Sequence, residues 1–382
     1  MDEDDAPVLM AVSSSARQLF MLLRCIAFSN KAHVTISEEG LKVAVDEASV
    51  MEASAFLDTS LFTTYNYHAP TPPPDREISD SEDESQDPST SPNFQISLPA
   101  LLETLQIFGL TDLNTTKPPW ARDNPYPTST AFSNNVLGMN NLCRISYDAP
   151  GTPLSVILTE ASIRTTCDLT TYEPDYADEI PFDRQSLAFK TIMRGSWLHD
   201  AISELSSTSP ERLTMYAKMV KGKPFLALSS SGTLGSARVE FNNQPHHPSA
   251  FRTPASTNPN SHLGPDANEP PTSLLETFQL SNPHSILRSS YKFSFIQKAA
   301  RAMSVSTKVS VRVDTQGVLS LQFMVEVEGS GSGDGGKVSF VDFRYVPLVE
   351  EDEDGEGGEG DETTVTNGDA FGEDGGSDED ML

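Results

Sequence analysis

Hydrophobic positions along this chain switch between a helical and an alternating period four times. A short apolar run at 8–12 leads into residues 14–27, where Ala16, Leu19, Phe20, Leu23, Ile26 and Ala27 recur at helical spacing and predict an amphipathic helix. Alternating runs at 32–36 and 41–45 flank the turn Ser37-Glu-Glu-Gly40, and a third strand is expected at 52–57. The last quarter repeats that order, with a helix over 295–303 and strands at 309–313 and 318–323 around the turn 314–317. Strand 337–346 closes it. Gly40 and Gly317 suit the positive-φ position of a tight hairpin.

Two weaker copies lie between. One has a helix at 98–108 and strands at 142–148, 154–159 and 163–169. The other has a strand at 185–194, a helix at 197–206 and strands at 213–219, 225–230 and 234–241. Four βαβββ modules, paired two and two, make an α+β chain. The acidic segment 170–183, with its prolines and tyrosines, divides the pairs and reads as a connector.

Five stretches break the pattern: 68–92, 114–141, 243–273, 329–336 and 347–382. They are rich in Pro, Ser, Asn, Gly or acids and lack the apolar content to offset ordering. About 254 residues then remain for folded structure, enough for two domains. Charge follows the same division. The chain carries 26 Lys and Arg against 55 Asp and Glu, a net of −29. Residues 2–5 hold four acids, 75–87 hold seven beside Arg76, and 347–382 hold fifteen with no base. Without those segments the net is −4, so the acidity of the whole does not argue against a nucleic-acid partner.

No apolar run approaches the ~20 residues that cross a bilayer, and the acidic N-terminus lacks the basic region of a secretory signal. Three separated cysteines, Cys25, Cys143 and Cys167, suit a reducing compartment and form no zinc knuckle. His246 and His247 sit in a Pro- and Asn-rich stretch without companion ligands, so no metal and no cofactor is expected there.

Several segments carry a resemblance. They are 308–324 (KVSVRVDTQGVLSLQFM) with 338–345 (VSFVDFRY), then Ile202-Ser-Glu-Leu, Lys223-Pro-Phe-Leu-Ala-Leu-Ser, Gly232-Thr-Leu-Gly-Ser-Ala, and Leu22-Leu-Arg-Cys-Ile-Ala-Phe with Gly40-Leu-Lys-Val-Ala-Val. With the fourfold module, these make the chain resemble the sliding-clamp fold of proliferating cell nuclear antigen. More closely it resembles the Rad-one (Rec-one) subunit family of the DNA-damage checkpoint clamp. The resemblance spans most of the core and none of the inserts. It implies clamp domain 1 over 6–169, a connector over 170–184, clamp domain 2 over 185–346 and an acidic tail over 347–382. It also implies a nuclear ring with Rad-nine-like and Hus-one-like subunits, placed on double-stranded DNA by a Rad-seventeen-type loader.

A clamp needs a positively lined hole rather than a reactive group, because phosphate neutralisation is independent of sequence. In the resembled fold the helices line that hole. Arg17 and Arg24 share the polar side of the first helix, seven residues apart, beside Gln18 and Met21; Gln297, Lys298 and Arg301 share that of the last. The middle helices offer Glu103, Thr104 and Gln106, and His199, Asp200 and Glu204, in place of bases. A basic helix face is more often plain solvated surface, so the DNA-facing reading of Arg17, Arg24, Lys298 and Arg301 leans on the resemblance.

Along the connector, Tyr172, Tyr176, Ile180 and Phe182 offer apolar contacts to a partner groove, against the blander reading that they pack on their own domain. Two strands are expected to be open sheet edges that pair with neighbouring subunits: 163–169, with Ile163, Thr165 and Cys167, and 234–241, with Leu234, Arg238 and Val239. Arg164, Asp168, Arg238 and Glu240 on them would discourage self-pairing. The rival reading is a 3′→5′ exonuclease, which needs clustered carboxylates; Asp46, Glu47, Asp148, Asp168 and Asp342 are its core candidates, joined by no motif. A third class, an acidic scaffold, draws only on the tail. Ser81 and Ser377 have acids three residues on and fit acidophilic kinases as well as they fit plain solvated surface.

Overall fold

The computed structural model describes residues 6–69, 91–107, 142–160, 163–174, 179–242, 274–327 and 337–349. The inserts at 114–141, 243–273 and 329–336, nearly all of 68–92, and the tail from 350 lie outside the described residues. So do Tyr176, Ser81, Ser377, His246 and His247.

Each module opens on a strand that leads directly into a helix. The first runs β1 (Leu9–Ser13), α1 (Ala16–Arg24), β2 (Lys31–Ser37), β3 (Gly40–Glu47) and β4 (Met51–Asp58), then a short β5 (Thr64–Tyr67). The second runs β6 (Asn93–Ser97), α2 (Leu98–Leu105), β7 (Leu142–Tyr147), β8 (Leu154–Glu160) and β9 (Ile163–Leu169). The third has β10 (Leu187–Arg194), α3 (Gly195–Leu205), β11 (Pro210–Val220), β12 (Lys223–Gly232) and β13 (Gly235–Asn242), then β14 (Thr277–Leu280). The fourth has β15 (Leu287–Lys292), α4 (Phe293–Gln297), α5 (Ala300–Val305), β16 (Lys308–Asp314), β17 (Leu319–Val327) and β18 (Lys337–Tyr345).

The first two helices start where a serine cap stops the strand. Ser15 Oγ accepts from the Gln18 N–H, and Ser97 Oγ from the Ala100 N–H. Four strands are additional to those the periodicity predicts. β5 and β14 are only four residues long, β6 is five, and β15 (Leu-Arg-Ser-Ser-Tyr-Lys) interrupts its inner positions Leu287 and Tyr291 with Ser289. The expected helix 295–303 is two short helices, because the N–H groups of Lys298 and Ala299 bond back only three residues, to Phe295 and Ile296.

Three antiparallel sheets result. One is ordered β5-β1-β7-β8-β9 and another β13-β12-β11-β15, while nine strands run β14-β10-β16-β17-β18-β4-β3-β2-β6. The nine-stranded sheet holds strands from both sides of the connector. Its seam is the pairing of β18 with β4, from Val341↔Ala55 to Tyr345↔Met51. On the helix side of that seam Phe343 is fully buried, edge-on to Phe323 at 5.6 Å and near Phe28, which follows α1, at 6.4 Å. The helices all cover one side: α1 packs on α2, and α3 on α5. Their buried stripes, Leu19, Phe20 and Leu23 in α1 and Leu198, Ile202 and Leu205 in α3, close the core.

The α3–α5 crossing is close because α3 begins at a glycine. A Cβ on Gly195 would overlap Ser306 Oγ and sit 2.7 and 2.8 Å from the carbonyl oxygens of Ser306 and Met303. Gly195→Ala should therefore destabilise by about 1–3 kcal/mol through overpacking, lowering the midpoint in thermal unfolding. An unchanged midpoint would mean the two helices separate at little cost.

Candidate nucleic-acid and subunit interfaces

On α1 the buried stripe leaves Arg17 and Arg24 exposed, and the Arg24 guanidinium lies 5.6 Å from the Phe20 ring. Half-buried Arg301, second residue of α5, comes near the same place. Burial pushes the Cys25 thiol up to about 12, against the opposing positive charges of Arg301 and then Arg24. Arg24 and Arg301 thus both lie near Cys25, while Arg17 stands two turns back on the exposed side of α1.

Lys298 is engaged elsewhere. Its ammonium pairs with Glu47 at the end of β3 and lies over the rings of Phe28 (5.3 Å) and Phe295 (5.6 Å), and burial lowers its pKa. It ties the fourth module to the first, so Gln297, Lys298 and Arg301 do not form one helical face. Thr104, expected on the polar side of α2, is buried and donates to the Ala100 carbonyl at 2.8 Å. Glu103 and Gln106 are exposed, as are Asp200 and Glu204 of α3, while half-buried His199 lies 3.4 Å from the Asp200 carboxylate.

On the other side of the nine-stranded sheet, the connector crosses the β4–β18 seam on a lattice of charges. The Ile180 N–H donates to Glu52 Oε2 at 3.0 Å, and its carbonyl accepts from Arg344 Nη1 at 2.8 Å. Arg344 stands 3.8 Å from Glu52 and 3.6 Å from Glu179, which also pairs with Lys42. Further along, the Arg312 guanidinium lies 5.5 Å from the Phe182 ring and 3.7 Å from Asp342, and the Asp183 N–H reaches Asp314 at 3.4 Å. Burial pushes the Glu52 carboxyl above its usual range despite Arg344 and the Ile180 N–H. At Glu179 burial also pushes upward, but the Lys42 hydrogen bond and the charges of Lys42 and Arg344 outweigh it and hold the carboxyl low.

Of the four connector residues proposed for a groove, Ile180 is 4 % exposed and packs on its own sheet, and Phe182 is held under Arg312. Tyr172 is 55 % exposed while its backbone pairs with Gln95 of β6 in both directions at 2.9 Å. A cleft of about 170 Å³ lies between connector and sheet, lined by His33, Lys42, Asp46, Glu52, Pro174 and Glu179 among others. Its lining mixes these charged side chains with Ala44, Val45, Met51 and Ile180, a charge content that the aromatic residues of the connector do not suggest.

β9 and β13 are both terminal strands of their sheets. On β9, Ile163 is 48 % exposed, and Thr165 and Cys167 are half-buried. On β13 the expected bounds shift by one: Leu234, 73 % exposed, lies in the two-residue turn before the strand. From that turn's closing pair, Gly232↔Gly235, every second pair is hydrogen-bonded, which includes Leu228↔Val239. The Val239 N–H is thus spent inside the sheet, and the outward N–H groups are those of Arg238 and Glu240. Those two side chains pair with each other at 2.9 Å.

The carboxylates weighed for catalysis are dispersed. Asp46 lies 3.9 Å from His33, Glu47 holds Lys298, Asp342 faces Arg312, and Asp148 and Asp168 stand on separate strand ends. Among the described residues no group of three or more His, Cys, Asp or Glu is placed to hold a metal ion.

Comparison with known proteins gives the family. The model of the repair protein Rad1/Rec1/Rad17 family matches residues 8–325. The chain belongs to this family. It is 30 % identical over 346 residues to the DNA damage checkpoint control protein rad1 of Schizosaccharomyces pombe, covering 88 % of this chain and 86 % of that one. It is 26 % identical over 347 residues to the cell cycle checkpoint protein RAD1 of Homo sapiens, covering 91 % and 94 %. A family member with a different name, the DNA repair exonuclease REC1 of Mycosarcoma maydis, is 25 % identical over 209 residues, 48 % of this chain and 39 % of its own. The fold is that of the proliferating cellular nuclear antigen of Entamoeba histolytica, whose crystal structure superposes with a TM-score of 0.56 at 10 % identity, over 90 % of this chain and 100 % of that one. The sliding-clamp architecture expected of the four modules is therefore present in this Rad1/Rec1/Rad17 chain.

The charge lattice makes two predictions. Arg344→Ala strands the buried Glu52 and removes the donor to Ile180; it should cost about 3–5 kcal/mol in urea unfolding. Because the folded-state pKa of Glu52 is raised, its protonated form favours folding, and stability falls as pH rises from 4.5 through the raised value. Glu52→Gln keeps an acceptor for Ile180 without the charge, so its stability should decline less over that window. Parallel pH profiles for the two proteins would assign the dependence to another group.

Proposed function

We propose that this chain is a non-enzymatic subunit of a heterotrimeric checkpoint clamp. It would encircle double-stranded DNA in the nucleus with Rad-nine-like and Hus-one-like subunits, after placement by a Rad-seventeen-type loader, and recruit signalling and repair proteins. Residues 6–169 and 185–346 are its two clamp domains and 170–184 the connector. The observation that carries this reading is a pair of unprotected terminal strands, β9 before the connector and β13 after it, ending two different sheets. An open edge is a row of unpaired donors and acceptors that another chain can continue. Two such edges on one subunit suit a ring with a different neighbour on each side.

The helix-lined side suits the hole, with Arg17, Arg24 and Arg301 supplying positive charge; Lys298 contributes less, since Glu47 neutralises it. Against the exonuclease reading, suggested by the REC1 name, stands the dispersal of the core carboxylates, with Glu47 and Asp342 in separate ion pairs and Asp148 and Asp168 on separate strand ends. A divalent-metal-dependent degradation assay separates the two: activity lost on changing one core acid would favour the enzyme.

Arg17→Ala with Arg24→Ala should weaken retention of the assembled ring on DNA and flatten the dependence of log K on log salt by roughly 1–2 phosphate contacts. An unchanged slope would remove α1 from the DNA surface. Glu240→Pro deletes an outward donor of β13 and spares its ladder with β12. It should abolish closure of a three-subunit ring, seen by native mass determination, with little change in circular dichroism. A closed ring with this variant would exclude β13 as a subunit edge.

A further inference from the structure

The sheet β13-β12-β11-β15 has a second face, turned away from the helices. Leu213, Met215 and Ala217 of β11 point into the core, so Arg212, Thr214, Tyr216 and Lys218 alternate onto the outer face. In register beside them stand Arg288 and Lys292 of β15, Lys223 and Phe225 of β12, and Arg238 and Glu240 of β13. Among the described residues, six cationic side chains share this face with Glu240, on a chain whose net charge is −29, while Glu211 lies at the β11 bulge beside Arg212.

The cations are ordered on two half-buried aromatic rings. Arg238 lies 5.4 Å from the Tyr216 ring and 5.7 Å from that of Phe225. Arg288 lies 5.9 Å from Tyr216, and Lys218 is 5.3 Å from Phe225. At one end Arg212 is the direct cross-strand partner of Lys292. Like charges so placed repel, and beside them opens a cleft of about 870 Å³ lined also by Ser231, Thr233 and Ser294.

We propose that this outer face binds single-stranded DNA. Guanidinium planes held against aromatic faces are preorganised for phosphate oxygens. Interleaved rings and cations on an open surface are the arrangement that tracks a single strand, whose phosphates meet the cations and whose bases meet the rings. Among the described residues this four-stranded face carries no helix to enter a duplex groove. Ala227 is fully buried beneath its neighbours and Ser229 half-buried, so the exposed part of the face is made by the rings and the cations. The site is separate from the arginines of α1, so it does not depend on ring formation.

The test is fluorescence anisotropy of the full chain with a fluorescein-labelled oligothymidylate longer than the roughly 16 nucleotides that one single-strand-binding fold can cover. Lys218→Ala with Arg288→Ala, both off the β13 edge, should weaken binding about tenfold or more and flatten its salt dependence. Tyr216→Leu keeps an apolar side chain but no ring, and should weaken binding about fivefold or more with unchanged circular dichroism. Lys308→Ala, which removes a cation of the nine-stranded sheet paired with Glu276, should leave it unaltered. Wild-type affinity in the Lys218/Arg288 double variant would overturn the proposal, as would failure of the wild-type chain to bind. Equal displacement of the DNA by a polyglutamate peptide, insensitive to Tyr216→Leu, would also overturn it and assign the face to an acidic protein segment.

Discussion

Everything else in this structure hangs on the pairing of β18 with β4. Four modules of a few strands and a single helical layer cannot each close a core, since every helix has a single buried stripe and every short sheet leaves edges. Bonding β18, the last described strand, to a strand of the first quarter turns two sets of strands into one nine-stranded sheet. It also brings Phe28 of the first module against Phe343 of the last. Lys298 then reaches Glu47 over the Phe28 ring, a contact between residues 251 positions apart that exists only because the seam does. Such distant pairing carries a loop-closure cost, though that cost grows slowly with length.

The seam also explains where the chain keeps its buried charge. Its helix side is aromatic, and its outer side alternates to Asp342 and Arg344, over which the connector must pass. Replacing such a lattice with apolar side chains would cost little stability in general. What the charges add is register. Ile180 is bonded through both its N–H and its carbonyl, to Glu52 and Arg344, so the connector cannot slide by one residue without stranding a carboxylate. The cleft beneath it carries charged side chains for the same reason, and residues that look like anchors for a partner, Ile180 and Phe182, are committed to holding the connector down.

How much of this could be read from the residues depends on the length of the signal. Strands such as Val-Ser-Val-Arg-Val and Leu-Lys-Val-Ala-Val repeat their alternation often enough to be recognised, and so fixed the module count. β5 and β14, four residues each, never complete two periods, and β15 spends its inner positions on Leu, Ser and Tyr between polar neighbours. On α1 the arginines were legible because seven residues bring a helix back to the same side. The ion pair of Lys298 is not legible, because its partner Glu47 is distant in sequence and its helix breaks where it stands. Nor is the choice of outward N–H groups on β13, because alternation gives the facing of a side chain, whereas the direction of an N–H is counted from the turn.

The two open edges and the cationic outer face pose one problem of protection solved in opposite ways. A terminal strand that is to stay single usually carries proline, a bulge or inward-pointing charge. β9 has none of these, with Ile163 open to solvent and Thr165 and Cys167 on its half-buried side, and β13 has only Arg238 paired to its own neighbour Glu240. A strand left that receptive is tolerable when a partner of matching edge covers it for most of the chain's life. The outer face, by contrast, is guarded by its charge. Its lysines and arginines repel another copy of the same face, while stacking on Tyr216 and Phe225 keeps them extended rather than collapsed onto nearby acids. One sheet therefore offers its hydrogen bonds along the edge and its charge across the face, so a neighbouring strand and a polyanion can be held together without competing for the same atoms.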